Sequence, residues 1–267
     1  MNKVIFTDLD GTLLDRATYS YKQALEAVDL LQKKGIPIIF CSTKTRAEQE
    51  VYREELNITD PFIVENGGAI FVPRDYFSFP IDYHRAANSY FVIELGIPHN
   101  RVREILKRVA REVGCHIQGF ADMSPEEVAR DTGLSLKFAT LAKQREYDET
   151  FKIEDAAEKV KLVLNRIAEA GLTYTHGGTY YDAICGSDKG KATMILTQLL
   201  RKKLGQIETI GIGDNQNDIP MLKAVDIPVL VQKPDHSWEQ TDLPNVRKVM
   251  GVGPQGWSRA INELVGD

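Results

Sequence analysis

Residues that mark several protein classes are scarce in this sequence. Three cysteines occur in 267 residues, Cys41, Cys115 and Cys185, far apart and each in an apolar or strand-like stretch. Three cannot all pair, and no CxxC or Cys/His ligand spacing exists, so a disulfide framework is excluded and a reducing compartment is expected. No apolar run approaches the roughly 18 residues needed to span a bilayer. Asp8 and Asp10 stand where a signal peptide would carry its apolar segment. A soluble, cytoplasmic chain with no membrane partner is expected. Positive charge is not in excess either: 33 basic against 38 acidic residues leave a formal net charge of −5. That balance argues against nucleic acid as a partner. Repeats and low-complexity segments are also absent. What is present is a globular composition, 43% hydrophobic, in a chain long enough for two domains or for one domain with a large insertion.

Short apolar segments alternate with amphipathic helical patterns at both ends of the chain. Val4 to Thr7, Ile36 to Cys41 and Phe62 to Val64 read as buried strands near the N-terminus. Glu208 to Ile212 and Ile227 to Val231 do so near the C-terminus. Between them run helical patterns: one from a capping-box spacing at Ser20 and Gln23, with Leu25, Val28 and Leu31 on one face, one through about Leu56, and one over Gly190 to Leu204. This grammar predicts an α/β fold, a doubly wound parallel sheet with helices on both faces. The middle differs. A strand at Tyr90 to Leu95, helices over Asn100 to Val113 and Glu154 to Ala170, and a hairpin around His176-Gly177-Gly178-Thr179 predict an inserted α+β unit. The expected division is 1–82 with 187–267 for the core and 83–186 for the insertion.

The chemistry lies where the predicted strands end. The first runs into Asp8-Leu9-Asp10-Gly11-Thr12, the second into Ser42-Thr43-Lys44, the third into Glu65-Asn66-Gly67-Gly68, and the strand from Glu208 into Gly213-Asp214-Asn215-Gln216-Asn217-Asp218. In an open parallel sheet, ligands sit outside the carboxyl ends of the strands, so these clusters converge. Asp8, Asp10, Asp214 and Asp218 in one small volume require a cation, and an all-oxygen set with open positions suits Mg²⁺. Lys189, opening a helix, adds positive charge for a phosphoryl group or for the nucleophile. Asp8 is placed to attack phosphorus, giving an aspartyl-phosphate. Asp10 is placed to protonate the leaving alcohol and later to deprotonate water. Ser42, or secondarily Thr43, would bind a phosphoryl oxygen. Thr43, Lys44, Glu65, Asn66, Gly67 and Asn217 are further candidates for substrate contact. In the insertion the candidates are Lys143, Arg145, Gly177 and Gly178.

Competing sites fail on spacing. Counted from Asp8, a calcium loop would place Leu13 at its glycine position and Tyr19 at its terminal glutamate. The nearest dinucleotide string, Gly211-Ile212-Gly213, continues into an acid that would repel pyrophosphate. A phospho-aspartate signalling module shares the Asp, hydroxyl and Lys, but is typically about 120 residues and carries no such insertion.

The four motifs in order, DLDGT at Asp8 to Thr12, Ser42, Lys189 and GDNQND at Gly213 to Asp218, resemble the haloacid dehalogenase superfamily of aspartate-nucleophile phosphatases. The resemblance implies Mg²⁺ bound by Asp8, the Asp10 backbone carbonyl and Asp214, with Asp218 in support. It also implies that the insertion is a cap of the kind found on sugar phosphatases. Ser42-Thr43-Lys44-Thr45-Arg46, Val64 to Gly68, Asp131 to Leu134, Leu141 to Glu149 and His176-Gly177-Gly178 resemble the mannosyl-3-phosphoglycerate phosphatases more narrowly. Thr179-Tyr180-Tyr181-Asp182 departs from that pattern, where a basic residue and a His are expected. The narrower resemblance implies hydrolysis of a small phosphorylated sugar acid, mannosyl-3-phosphoglycerate, to mannosylglycerate, a compatible solute. A broader sugar-phosphate phosphatase, a glucosyl-3-phosphoglycerate phosphatase and a phosphosugar mutase are the alternatives on the same fold.

Overall fold

The computed structural model describes residues 2–177 and 179–266. From the N-terminus the chain forms β1 (Asn2–Thr7), α1 (Leu25–Lys33), β2 (Ile38–Phe40), α2 (Arg46–Glu55), β3 (Phe62–Val64), β4 (Ala69–Pro73), β5 (Arg85–Ala87) and β6 (Tyr90–Glu94). Next come α3 (His99–Val113), β7 (Ile117–Gly119), α4 (Pro125–Thr132), α5 (Leu136–Ala142), β8 (Glu149–Ile153), α6 (Ala157–Glu169), β9 (Thr173–Gly177) and β10 (Tyr180–Ile184). The C-terminal part is α7 (Lys189–Leu204), β11 (Ile207–Gly213), α8 (Ile219–Lys223), β12 (Ile227–Gln232), β13 (Arg247–Val252) and α9 (Pro254–Val265). No helix among the described residues is long and apolar enough to cross a membrane.

The expected parallel sheet is present, in the order β13-β12-β11-β1-β2. Ile5 lies opposite Ile210 on one side and Ile38 on the other. Because helices cover both faces, β1 is apolar on both, and its alternate residues feed separate cores. Ile5 packs with Val28, Leu31, Trp257 and Ile261, whereas Val4 and Phe6 pack with Leu196, Leu200 and Met221. The start of α1 differs from expectation. A 3₁₀ turn at Lys22–Ala24 precedes it, no side chain caps either element, and the Ser20 hydroxyl accepts only from the Lys22 N–H. Leu25 is consequently exposed, and Ala27, Val28 and Leu31 form the buried face.

Two antiparallel sheets complete the fold. The first, β3-β4-β6-β5, meets the parallel sheet at an isolated bridge between Cys41 and Ile63. Thus β3 is not a full third parallel strand; it turns at Glu65–Gly68 and returns as β4. The strand at Tyr90–Glu94, expected inside an insertion starting at 83, pairs with β4 instead, Ile93 opposite Ile70, and buries Val92 and Ile93 in the two main cores. The cause is the Gly68 carbonyl, which accepts from the Leu95 and Gly96 N–H groups at 2.9 and 2.8 Å and so extends the pairing to the end of β6.

The second sheet, β7-β8-β10-β9, carries α3 and α6 on one face. There Val102, Leu106, Val109, Val163 and Ile167 pack on Phe151 and Ala183. The β9–β10 hairpin forms as expected, with Tyr180 opposite Gly177; Gly178 lies outside the described residues. Four elements here, β7, α4, α5 and β8, were not foreseen. Their helices are set by a capping box at Ser124 and Glu127 and by the Ser135 hydroxyl, in segments too short to show periodicity.

Candidate active site

Asp8 follows β1 directly, Asp214 follows β11, and Lys189 is the first residue of α7. The Lys189 ammonium donates to Asp8 Oδ1 at 2.7 Å and to Asp218 Oδ1 at 2.6 Å. The other Asp218 oxygen accepts the N–H groups of Asp214 and Asn215 at 3.0 and 3.1 Å. Asp218 therefore fixes both the lysine and the turn that presents Asp214. Burial opposes a charge on Lys189, but Asp218 and Asp8 outweigh it and hold the ammonium above the usual lysine range. Burial, followed by the charge of Asp218, pushes Asp8 up to about 8 despite Lys189. The same causes push Asp214 up to about 6, against the pull of Arg16.

Carboxylate oxygens of Asp8, Asp214 and Asp218 lie within 4.8 Å of one another, and all three residues are buried. Two like charges 4 Å apart repel by about 4 kcal/mol at an effective dielectric near 20. A divalent ion would relieve that repulsion, and the all-oxygen donor set fits a hard cation. Asp10 stands apart from the trio. Its Oδ2 pairs with Lys44 Nζ at 3.0 Å, and its buried Oδ1 has no hydrogen-bond partner among the described residues.

These groups open into a cavity of about 140 Å³ between the parallel sheet and the β9–β10 hairpin. Of the residues expected there, Asp8, Asp10, Thr43, Gly177, Asp214 and Asn217 line it. So do Arg16, Thr175, Asp182 and Asn215, which were not anticipated, and His176, weighed only as a turn residue beside the glycines. Arg16 had a signal, a guanidinium close behind DLDGT. Asp182 and Thr175 had none, since only hairpin register aims them at the cavity.

Several expected contacts are engaged elsewhere. Ser42 is fully buried, and its hydroxyl accepts the Lys44 N–H at 3.3 Å, ordering the turn after β2 and leaving its O–H without an acceptor among the described residues. Lys44 is buried between Asp10 and Glu48, with the ring centroids of Tyr19 and Tyr52 at 5.1 and 5.8 Å from its ammonium. Burial would strip its proton, yet the two carboxylates hold the ammonium above its usual range. Lys143 donates to the carbonyls of Phe120 and Met123 inside the insertion. Arg145 pairs with Asp148 at 2.5 Å and donates to the Thr43 carbonyl at 2.8 Å. Charges drawn out of water require partners, so buried Lys44 and Arg145 and partly buried Lys143 are each held by a neighbouring acid or carbonyl.

The segment Glu65-Asn66-Gly67-Gly68 is likewise an anchor and does not line the cavity. Glu65 and Asn66 adopt positive φ, 49° and 56°. The fully buried Glu65 carboxylate accepts from the N–H groups of Glu146, Tyr147 and Asp148 at 2.7–3.1 Å. The Asn66 amide reaches Asp148 at 3.5 Å, and the Gly67 carbonyl accepts from the Ser187 hydroxyl at 2.7 Å. Gly67 has no substitute: at φ +91° an added Cβ would lie 2.1 Å from the Asp188 carbonyl oxygen.

Comparison with known proteins gives the family. Residues 5–238 match the haloacid dehalogenase-like hydrolase family. A glucosyl-3-phosphoglycerate/mannosyl-3-phosphoglycerate phosphatase of Methanococcoides burtonii is 49% identical over 268 residues, covering 100% of this chain and 98% of the relative. A protein of the same name from Persephonella marina is 40% identical, covering 99% and 97%. Among solved structures, a haloacid dehalogenase-like hydrolase from Bacteroides thetaiotaomicron superposes with a TM-score of 0.65 at 18% identity, covering 99% of this chain and 100% of that one. With its motif residues gathered at the strand ends and a family match spanning most of its length, the chain belongs to the haloacid dehalogenase-like hydrolases.

Proposed function

We propose that this chain is a Mg²⁺-dependent phosphomonoesterase that hydrolyses mannosyl-3-phosphoglycerate to mannosylglycerate and phosphate. The observation that carries the chemistry is the Asp8–Lys189–Asp218 chain, with Asp10 two residues beyond Asp8 and one Asp10 oxygen unpartnered. Asp8 Oδ attacks phosphorus as the bond to the glycerate oxygen breaks, and Asp10 delivers a proton to that oxygen. Asp10 then takes a proton from the water that cleaves the aspartyl-phosphate, returning Asp8. Lys189 holds Asp8 in position, and Lys44 orients Asp10 through its other oxygen. Asp8, Asp214 and the Asp10 backbone carbonyl would hold Mg²⁺, which neutralises phosphoryl charge when bound.

The substrate is supported by the relatives' names over essentially full length. Both names are double, and this favours a second reading in which the glucosyl substrate is also accepted. At about 140 Å³ the cavity is smaller than the roughly 300–1,000 Å³ usual for ligand sites. We therefore assign residues 97–185 as a cap that swings away to admit substrate and closes to exclude water. Three unpaired cysteines suit a reducing compartment, and we place the enzyme in the cytoplasm.

The test is phosphate release with Mg²⁺ from mannosyl-3-phosphoglycerate, glucosyl-3-phosphoglycerate, mannose 6-phosphate and phosphoglycerate. The expected preference in kcat/KM for a glycosyl-phosphoglycerate is about 100-fold, or roughly 2.7 kcal/mol. Asp8→Asn should remain folded and be inactive. Equal rates on all four compounds would remove the substrate assignment, and activity in Asp8→Asn would remove the covalent mechanism.

A further inference from the structure

We infer that Arg16 receives the carboxylate of the substrate, and that a divalent ion at Asp8 and Asp214 releases it for that role. The inference rests on the glycosyl-phosphoglycerate reading and extends it to a residue that sets specificity. Among the described residues that line the cavity, Asp8, Asp10, Asp182 and Asp214 are carboxylates, while Arg16 is the single Lys or Arg. A substrate carrying a phosphate and a carboxylate needs more positive charge than that wall supplies. The neighbouring cations are committed. Lys189, Lys44 and Arg145 are each buried and each lie within 4 Å of two carboxylates.

Arg16 differs in both respects. Its side chain is 41% exposed, and its one acidic partner is Asp214, at 2.9 Å. The guanidinium is seated there by design of the backbone. Gly11, at φ +84°, leaves the space in which a Cβ would stand 2.7 Å from Asp214 Oδ2 and 3.0 Å from Arg16 Nε. The loop that carries Arg16 is shaped by Asp15 Oδ1, which accepts from the Ala17 and Thr18 N–H groups at 3.1 and 2.8 Å. It is tied to the cap by the Tyr19 hydroxyl, which donates to the Thr132 carbonyl at 3.1 Å. Arg16 therefore stands on a core loop in contact with the cap, facing the part of a substrate that extends beyond its phosphate.

Asp214 cannot serve a guanidinium and a divalent ion equally well, because the two cations repel across one carboxylate. Metal binding weakens the Arg16–Asp214 pair, and the planar fork of donors then matches a second carboxylate in two-point geometry. By linkage, Arg16 in turn weakens metal binding while substrate is absent.

Arg16→Gln and Arg16→Lys test both halves, with circular dichroism to confirm folding. Titration calorimetry of Mg²⁺ into substrate-free enzyme should show Arg16→Gln binding about fivefold more tightly than wild type. Unchanged or weaker binding overturns the competition. In turnover at saturating Mg²⁺, Arg16→Gln should raise KM for mannosyl-3-phosphoglycerate about 10- to 100-fold more than it raises KM for mannose 6-phosphate, which lacks the carboxylate. Equal losses on both substrates overturn the carboxylate role. Arg16→Lys, which keeps the charge without the fork, should show wild-type metal affinity and an intermediate KM, and it carries the test should the glutamine variant not fold. Wild-type enzyme showing no preference between the two substrates would instead fail the substrate reading, a result separate from the calorimetric one.

Discussion

Replacing Glu65 separates an anchoring role from substrate contact. Its carboxylate accepts three backbone N–H groups, from Glu146, Tyr147 and Asp148. Tyr147 and Asp148 are buried, whereas Glu146 is partly exposed and its N–H can recover a water partner. In Glu65→Ala the two buried donors lose their acceptor, at about 1–3 kcal/mol each. A loss near 4 kcal/mol is expected. Glu65→Gln keeps one acceptor oxygen for those donors and turns its amide against the Glu146 N–H, so a loss of about 1–2 kcal/mol is expected. Urea unfolding followed by far-UV circular dichroism measures both. Under the anchoring role the conservative Gln variant keeps a KM within a few-fold of wild type. A Glu65→Ala loss below about 1 kcal/mol, together with a large rise in KM for Glu65→Gln, would refute the anchoring role and restore substrate contact.

Gly67→Ala should cost at least about 3 kcal/mol, because its Cβ meets the Asp188 backbone at a positive φ; a variant as stable as wild type in urea would contradict the packing described. Asp182 gives a pH signature: burial, then the charge of Asp148, raises it from 3.8 to about 6. The folded protein thus keeps a proton that the unfolded chain releases, and stability falls as pH rises from about 4 to about 6, by at most about 3 kcal/mol. Urea midpoints across this window should decline in wild type relative to Asp182→Asn, and parallel slopes would rule the assignment out.

The core half of the site could be read from the chain because the clusters at Asp8, Ser42 and Asp214 each follow an apolar strand. Asp8, Asp214 and Asn217 needed only the strand-end rule to be brought together. Other residues could not be assigned that way. Lys44, Lys143 and Arg145 look like free cations in one dimension, and their engagement depends on Asp10, the Phe120 carbonyl and Asp148, whose positions only the tertiary structure supplies. The strand β8 hides for a related reason. Glu149 and Thr150 interrupt its apolar pattern because they are buried polar residues bonded to Ala121 and Asp182. Tyr90–Glu94 was recognised as a strand, but its partner was not, since Gly68 draws it to the core through a backbone carbonyl that leaves no trace in side-chain pattern.

Both chain crossings into the cap fasten to one point. Leu95 and Gly96 bond to the Gly68 carbonyl, Ser187 to that of Gly67, and Gly186 lies against the Leu95 carbonyl. In mechanical terms this would serve the proposed cap as a pivot set in the frame, with a short arm toward the chemistry and a long arm toward the entrance. Lys189 lies two residues beyond Ser187. The hairpin tip stands at the far end of the five-residue β10, about 17 Å away at 3.3 Å per residue. Travel in a rotation grows with distance from its axis, so the proposed swing, wide enough to move His176 and Gly177 off the cavity, would barely displace the ammonium that holds Asp8. Such a gate would open while the reacting groups stay in register.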